Sequence, residues 1–290
     1  MIPMMHEELL ATAIAAARAG SAVVSRYFRD AGLEVRSKGE NDFVTQADKE
    51  SEAAILAVLR QSFPDHRILA EEGGGADAGQ GSEYEWLIDP LDGTTNFLQG
   101  LPVYSVSVAC RRGDELLVGV VQDPEGDNLF TAAAGGGAFW NGRPMAASGR
   151  DGLKGAFLAT GYPFRAHATL DRYLQIFRDV FLDAKAIRRC GSAALDLAYT
   201  AAGVYDGFFE FRLSPWDIGA GILLVREAGG VATDLDGGER LFRGGNVVAG
   251  GGAVQRELLA AVMRHASEAS IDDLAPLAPI AAPAEVPAAP

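Results

Sequence analysis

The stretch WLIDPLDGTTNF, residues 86–97, places the tightest constraint on how this chain can fold. An apolar run suited to a buried strand ends in two carboxylates, Asp89 and Asp92, and breaks at once into Gly-Thr-Thr-Asn. Two buried like charges raise at least one pKa and are costly unless a cation neutralises them. DPLDG is also an ordinary polar turn, since Asp, Pro and Gly all favour turns. Repetition argues for more than a turn. The apolar HRILA runs into Glu71 and Glu72, and in SPWDIGAGILLVREAGG an aspartate, Asp217, opens an apolar helix directly after a tryptophan. Asp217 also suits a helix cap. Carboxylates at three separate element boundaries favour a shared cation site. Hard oxygen donors without histidine or cysteine nearby select magnesium or a similar ion over zinc. If a turn or helix begins at Gly93-Thr94-Thr95, its N–H groups form an anion site beside it.

The remaining pattern indicates layers. Leu10, Ile14, Ala17, Ser21, Val24 and Phe28 recur at helical spacing and predict an amphipathic opening helix. A second helix is expected from Thr45, where TQAD can cap SEAAILAVLRQSF. VYSVSVAC, LLVGVVQD and NLFTAAA, separated by turn signals, predict an antiparallel meander. From about Gly152 strands and helices alternate, which indicates sheet covered by helices. The expected organisation is an α+β part over 1–150 with the acidic motif, an α/β part over 151–265, and an Ala/Pro-rich disordered tail over 266–290. No internal repeat is visible.

At 290 residues the chain can bury a large core, and its formal net charge of −14 opposes non-specific attraction to nucleic acid or anionic membranes. Cys110 and Cys190 lack the paired spacing of a zinc site or disulfide framework and read as reduced thiols in or near the core, which suits a cytoplasmic protein. The N-terminus does not read as a signal peptide, and no apolar run looks long enough to span a bilayer.

WLIDPLDGTTNF and WDIGAGILLVREAGG resemble the two signature motifs of the inositol monophosphatase family, magnesium-dependent and lithium-sensitive sugar-phosphate phosphatases. DFVTQAD, AEEGGG and CGSAALDLAYTAAGVYDGFFEF extend the resemblance from the first helix to about residue 265, and the third quarter is similar to the bacterial inositol-1-monophosphatase branch. The resemblance implies a layered α-β-α-β-α sandwich of the sugar phosphatase type. It implies that Glu71, Asp89 and the Leu91 carbonyl hold one magnesium, and that Asp89, Asp92 and Asp217 hold a second. Glu71, through a further loosely held ion, and Thr94, linked to Asp48, would position the attacking water. The N–H groups of Gly93 and Thr94 would hold phosphate, and Asp92, Gly191, Ser192, Ala193 and Glu210 would contact the inositol or sugar. Glu72 is not a principal ligand in this scheme.

Two departures stand out. Gly219 occupies a position that is usually alanine or cysteine, and the loop Lys38–Asp42, near the family's third metal, looks one residue shorter than in the animal enzymes. The implied activity is hydrolysis of myo-inositol 1-phosphate or a similar polyol phosphate, with no covalent phosphoenzyme, by a homodimer. Within the same superfamily, fructose 1,6-bisphosphate, nucleotide 3′-phosphates and histidinol phosphate are alternative substrates. A regulatory binding protein, for instance a regulator of RNA synthesis, is an alternative class. Glu210 itself suits either a hydroxyl-rich substrate or an ion pair with Arg188 or Arg212.

Overall fold

The computed structural model describes residues 4–30, 32, 35–39, 42–73, 81–162 and 170–267. The side chains of 35–39, 42 and 43, and the tail beyond 267, lie outside the described residues, so the expectations for the Lys38–Asp42 loop and for the disordered tail find no counterpart here.

Five layers stack around two sheets. Helices α1 (Met4–Tyr27) and α2 (Gln46–Ser62) cover one face of a seven-stranded sheet built from β3 (Arg67–Ala70), β4 (Tyr84–Asp92), β5 (Ser105–Arg112), β6 (Glu115–Asp123), β7 (Asn128–Ala133), β8 (Gly137–Trp140) and β9 (Arg143–Pro144). Its strands follow chain order, with β3 parallel to β4 and every later pair antiparallel, the meander that the turn signals predict. The other face receives α5 (Ala193–Ala201) and α6 (Pro215–Glu227), which also back a five-stranded sheet. That sheet has the order β11 (Ala186–Arg188), β10 (Phe157–Thr160), β12 (Gly207–Glu210), β14 (Val247–Gly250) and β13 (Val231–Thr233). Helices α4 (Leu170–Asp183) and α8 (Gly252–Met263) close the outer face. The hairpin β1 (Val35–Gly39) and β2 (Asp42–Thr45), the edge strand β13 and the short α7 (Leu241–Gly244) carry too little periodicity to be read from sequence.

Strand alternation distributes the core. Trp86 and Ile88 of β4 pack with α1 and α2, whereas Leu87 packs with α5 and α6. The buried face of α1 is centred on Leu9, Ala13, Ala16, Gly20 and Val23, one position off the predicted stripe, so Leu10 and Ile14 sit at its half-buried margin. This helix is long and apolar enough to cross a membrane by length and composition, contrary to the sequence expectation, yet it is a core helix here, packed on α2 and the large sheet. Cys110 is fully buried and its thiol pKa is pushed up to about 12 by desolvation; Cys190 is half-buried, and both are free thiols.

The central helix α6 lies close against the large sheet because Gly119 in β6 has no side chain. A Cβ there would stand 2.9 Å from both Cα and O of Ala220. At Gly219, by contrast, an added Cβ would meet Leu87 Cδ1 at 2.7 Å, the mobile end of a side chain, and Ala109 Cβ at an ordinary contact distance of 3.4 Å. Gly119→Ala should therefore cost about 1–3 kcal/mol by forcing helix and sheet apart. Gly219→Ala should be tolerated far better, because improved helix propensity of about 1 kcal/mol offsets a small shift of Leu87. Thermal melting of the two variants checks this ordering; equal effects would contradict it.

Candidate active site at an acidic strand end

Asp89 and Asp92 are three residues apart, and in a regular strand they would face opposite ways. The pairing of β4 with β5 resolves this: Asp89 pairs with Ser107 and Asp92 with Ser105, so three steps on β4 match two on β5. The extra residue is a β-bulge, and it brings both carboxylates to the same end of the strand. Pro90 sits in the bulge, where its missing N–H costs no ladder bond, and its carbonyl accepts a hydrogen bond of 2.9 Å from Ser51 Oγ.

Asp89 is 2% exposed. Its pKa is raised well above the usual carboxylate value, first by desolvation and then by the charges of Glu71, Asp92 and Asp217. The structure therefore gathers all four predicted carboxylates into one electrostatic neighbourhood, from the end of β3, the bulge of β4 and the start of α6. Asp89 Oδ1 accepts from Leu91 N at 3.0 Å. Asp92 Oδ2 accepts from Ser192 Oγ at 2.6 Å and Ala194 N at 2.8 Å, so its charge also stabilises the N-terminus of α5. Asp217 Oδ2 accepts from Ser214 N at 2.7 Å; it occupies the third position of α6 and reaches back to the cap residue Ser214, so the capping role is filled alongside any other. Among the described residues no three carboxylate, imidazole or thiolate groups converge tightly enough to chelate an ion as they stand. The donor set nevertheless fits a hard divalent cation, because it is all oxygen and because the burial of Asp89 amid three like charges calls for a positive charge.

The Gly93–Thr94 turn follows directly. Gly93 has φ +94°, and a Cβ there would lie 3.0 Å from Val103 O and 3.2 Å from Gly191 O, so both conformation and space demand glycine. It precedes α3 (Thr94–Leu98), whose first N–H groups lack intrahelical acceptors by geometry. Thr94 Oγ1 donates to Leu91 O at 3.0 Å and lies 3.3 Å from Asp48 Oδ1, which realises the predicted link between Thr94 and Asp48. Asp48 belongs to the capping box of α2, accepting at Oδ2 from Thr45 N and Thr45 Oγ1. Burial raises its pKa to about 7 despite those bonds. Glu72 N donates to Glu52 Oε2 at 2.9 Å, which fixes the backbone next to Glu71.

Glu210 ends β12 on the same side as Phe208, facing the central helices, while Phe209 and Phe211 enter the outer core. Its carboxylate covers Gly161, where any Cβ would overlap it. Arg188, one proposed ion-pair partner, lies over the Phe157 ring and donates to its neighbour Ile187 O. Three residues escaped the sequence reading. Asn96 Nδ2 donates to Val103 O at 2.7 Å and Cys190 O at 2.8 Å, tying the Gly93 turn to the Gly191 loop; its place at the end of GTTN was the available signal. Gly161 makes room for Glu210. Asp196, buried in α5, has a pKa raised by desolvation, Glu210 and Asp92, and its Oδ1 has no hydrogen-bond partner among the described residues.

A two-sheet, five-layer α/β fold with an acidic cluster beside a glycine-led helix start defines a class of layered phosphatase-type proteins. The chain belongs to the inositol monophosphatase family, whose model matches residues 5–269. It is 45% identical to "Nus factor SuhB" of Salmonella typhimurium over 265 residues, covering 91% of this chain and 99% of that protein. It is 43% identical to "Inositol-1-monophosphatase" of Mesorhizobium japonicum over 265 residues, with the same shares covered. The fold superimposes on the extragenic suppressor protein suhB of Bartonella henselae with a TM-score of 0.83 at 39% identity, covering 91% of this chain and 100% of that one.

The raised carboxylate pKa values set a pH dependence. With pKa values raised above the ordinary 3.8 of the unfolded chain, Asp48 and Asp89 contribute stability that is fully present below about that value and is lost as pH rises, for Asp48 through about 7. In chelator, the melting temperature should climb as pH is lowered from about 8 to about 5, and Asp48→Asn should flatten part of that slope. A melting temperature that is level or rises with pH over this range would contradict the assignment.

Proposed function

We propose that the protein is a cytoplasmic, homodimeric, magnesium-dependent phosphomonoesterase that hydrolyses myo-inositol 1-phosphate or a similar polyol phosphate. The observation that carries this reading is the burial of Asp89 among Glu71, Asp92 and Asp217 directly beside the Gly93–Thr94 turn. Glu71, Asp89, Asp92, Asp217 and the Leu91 carbonyl would hold two or three magnesium ions. Bound magnesium supplies charge neutralisation for the dianionic ester and acidifies a water. The chain's own groups do the rest. The N–H groups of Gly93 and Thr94 bind the phosphate. Thr94 Oγ1, held between Leu91 O and Asp48, orients the attacking water together with Glu71, and Asp48 can hold a proton near neutral pH. Gly191, Ser192, Ala193 and Asp92 shape the pocket for the alcohol, and Glu210 accepts hydrogen bonds from its hydroxyls.

The name "Nus factor SuhB" carried by the Salmonella relative favours a second reading, a regulatory binding protein that keeps the fold and residual phosphatase activity. Phosphate release with and without magnesium separates the two, and lithium should inhibit uncompetitively if the family reading holds.

Asp89→Asn should abolish turnover of inositol 1-phosphate while raising the melting temperature in chelator, because the cost of burying an ionisable carboxyl among three others is removed. Full activity in this variant at saturating magnesium would sink the reading. Glu210→Gln should lower kcat/KM for inositol 1-phosphate roughly ten- to a hundredfold and spare an aryl phosphate, which offers no hydroxyls. Gly161→Ala, which displaces the Glu210 carboxylate, should reproduce that selectivity. Equal losses on both substrates would assign Glu210 to the structure instead.

A further inference from the structure

Helix α4 buries one face and carries a second apolar stripe beside it. Tyr173, Ile176 and Val180 enter the outer core, whereas Leu170, Leu174, Phe177 and Phe181 recur at spacings of four, three and four residues along the adjacent side. Leu174 is 50% exposed and Phe181 60%, and the rings of Phe177 and Phe181 stack with centroids 6.0 Å apart. Leu170 and Leu182 are exposed as well, so the apolar surface of α4 is a patch rather than a scatter of single side chains.

The chain returns to the end of that stripe. Helix α8 ends at Met263, and Arg264 Nε and His265 Nε2 lie 3.2 and 2.9 Å from Asp179 Oδ2, two residues before Phe181. Residues 268–290 lie outside the described residues and almost wholly beyond the family match, which stops at 269. Composition gives this Ala/Pro-rich tail little to bury, yet all five of its large apolar residues, Ile271, Leu274, Leu277, Ile280 and Val286, stand at multiples of three from one another. Three residues per turn is the period of the polyproline II conformation, which a proline-rich sequence favours, and in that period the five share one edge. At about 3.1 Å per residue, 271–280 spans roughly 28 Å, against roughly 16 Å of helix from Phe181 to Leu170. Charge is complementary too. Asp272 and Asp273 follow Ile271, and Arg178, a helical neighbour of both Leu174 and Phe181, is 77% exposed with only a long ion pair of 3.9 Å to Asp179.

We propose that residues 271–286 dock in cis along the Leu170–Phe181 stripe of α4, running from its C-terminal end towards its N-terminal end. The tail is then an intramolecular strap over the outer layer, which covers apolar surface that would otherwise favour association. The proposal goes beyond the phosphatase reading and does not rest on it.

The test uses the full chain, a chain lacking 268–290, and the full chain with Leu274→Asp and Leu277→Asp, each with its mass measured by light scattering. Both altered tails should raise the fluorescence of a dye that binds exposed apolar surface by at least about twofold, without a change in mass. Reciprocally, Leu174→Asp with Phe181→Asp in the full chain should speed cleavage within 271–286 by thermolysin roughly tenfold, while the melting temperature shows that the fold persists. Both positions are exposed, so these changes leave the core intact. Dye binding that does not respond to the tail variants, or tail cleavage that does not respond to the helix variants, would overturn the proposal. A gain in dye binding accompanied by a fall in mass would place a second copy of the chain on the stripe and overturn it equally.

Discussion

The structure depends on one unfavourable interaction, the burial of Asp89 among three other carboxylates. The charges of Glu71, Asp92 and Asp217 add to desolvation at a side chain that is 2% exposed. A soluble domain is stable by only about 5–15 kcal/mol, so such crowding persists only where the surrounding packing enforces it. The enforcement is visible. The bulge at Pro90 and Leu91 turns Asp92 to the side of Asp89, the Ser51 hydroxyl holds the bulge, and α6 carries Asp217 in from the opposite layer.

Placement of α6 is the second requirement, and it is met by small residues. Gly119 admits the backbone of Ala220, while Gly221 admits Leu197 of α5, where an added Cβ would stand 2.5 Å from Leu197 Cβ. Ser107 Oγ then donates to Trp216 O at 3.1 Å, fixing the first turn of α6 on the strand opposite Asp89. Ser192, Asp92 and Ser105 form a parallel connection to α5. The acidic end of β4 is thus joined to both central helices by hydrogen bonds that also orient its side chains.

Much of this was legible in the sequence because it is written in contiguous runs. The strand-ending carboxylates, the Thr45 cap, the meander and the helix-strand rhythm after residue 152 all appear in the structure as elements. The particulars that depend on how separate elements meet were not legible. The bulge needs the register with β5, and the roles of Gly119 and Gly161 need the neighbours that a missing Cβ would strike. Asn96 acquires meaning only because it joins the Gly93 turn to the loop at Cys190–Gly191. Periodicity located the buried face of α1 only to within one position, since Ala and Gly on the true contact line carry a weaker apolar signal than Leu10 and Ile14.

The central claim is that this acidic cluster exists to bind a divalent cation, and calorimetric titration of magnesium into the protein tests it most directly. Because burial and three like charges raise the Asp89 pKa well above the ordinary carboxylate value, magnesium binding should release protons, and the measured heat should change with the ionisation enthalpy of the buffer. Saturable binding with that buffer dependence is the expected result. No magnesium binding, or a heat that is identical in buffers of different ionisation enthalpy, would contradict the account.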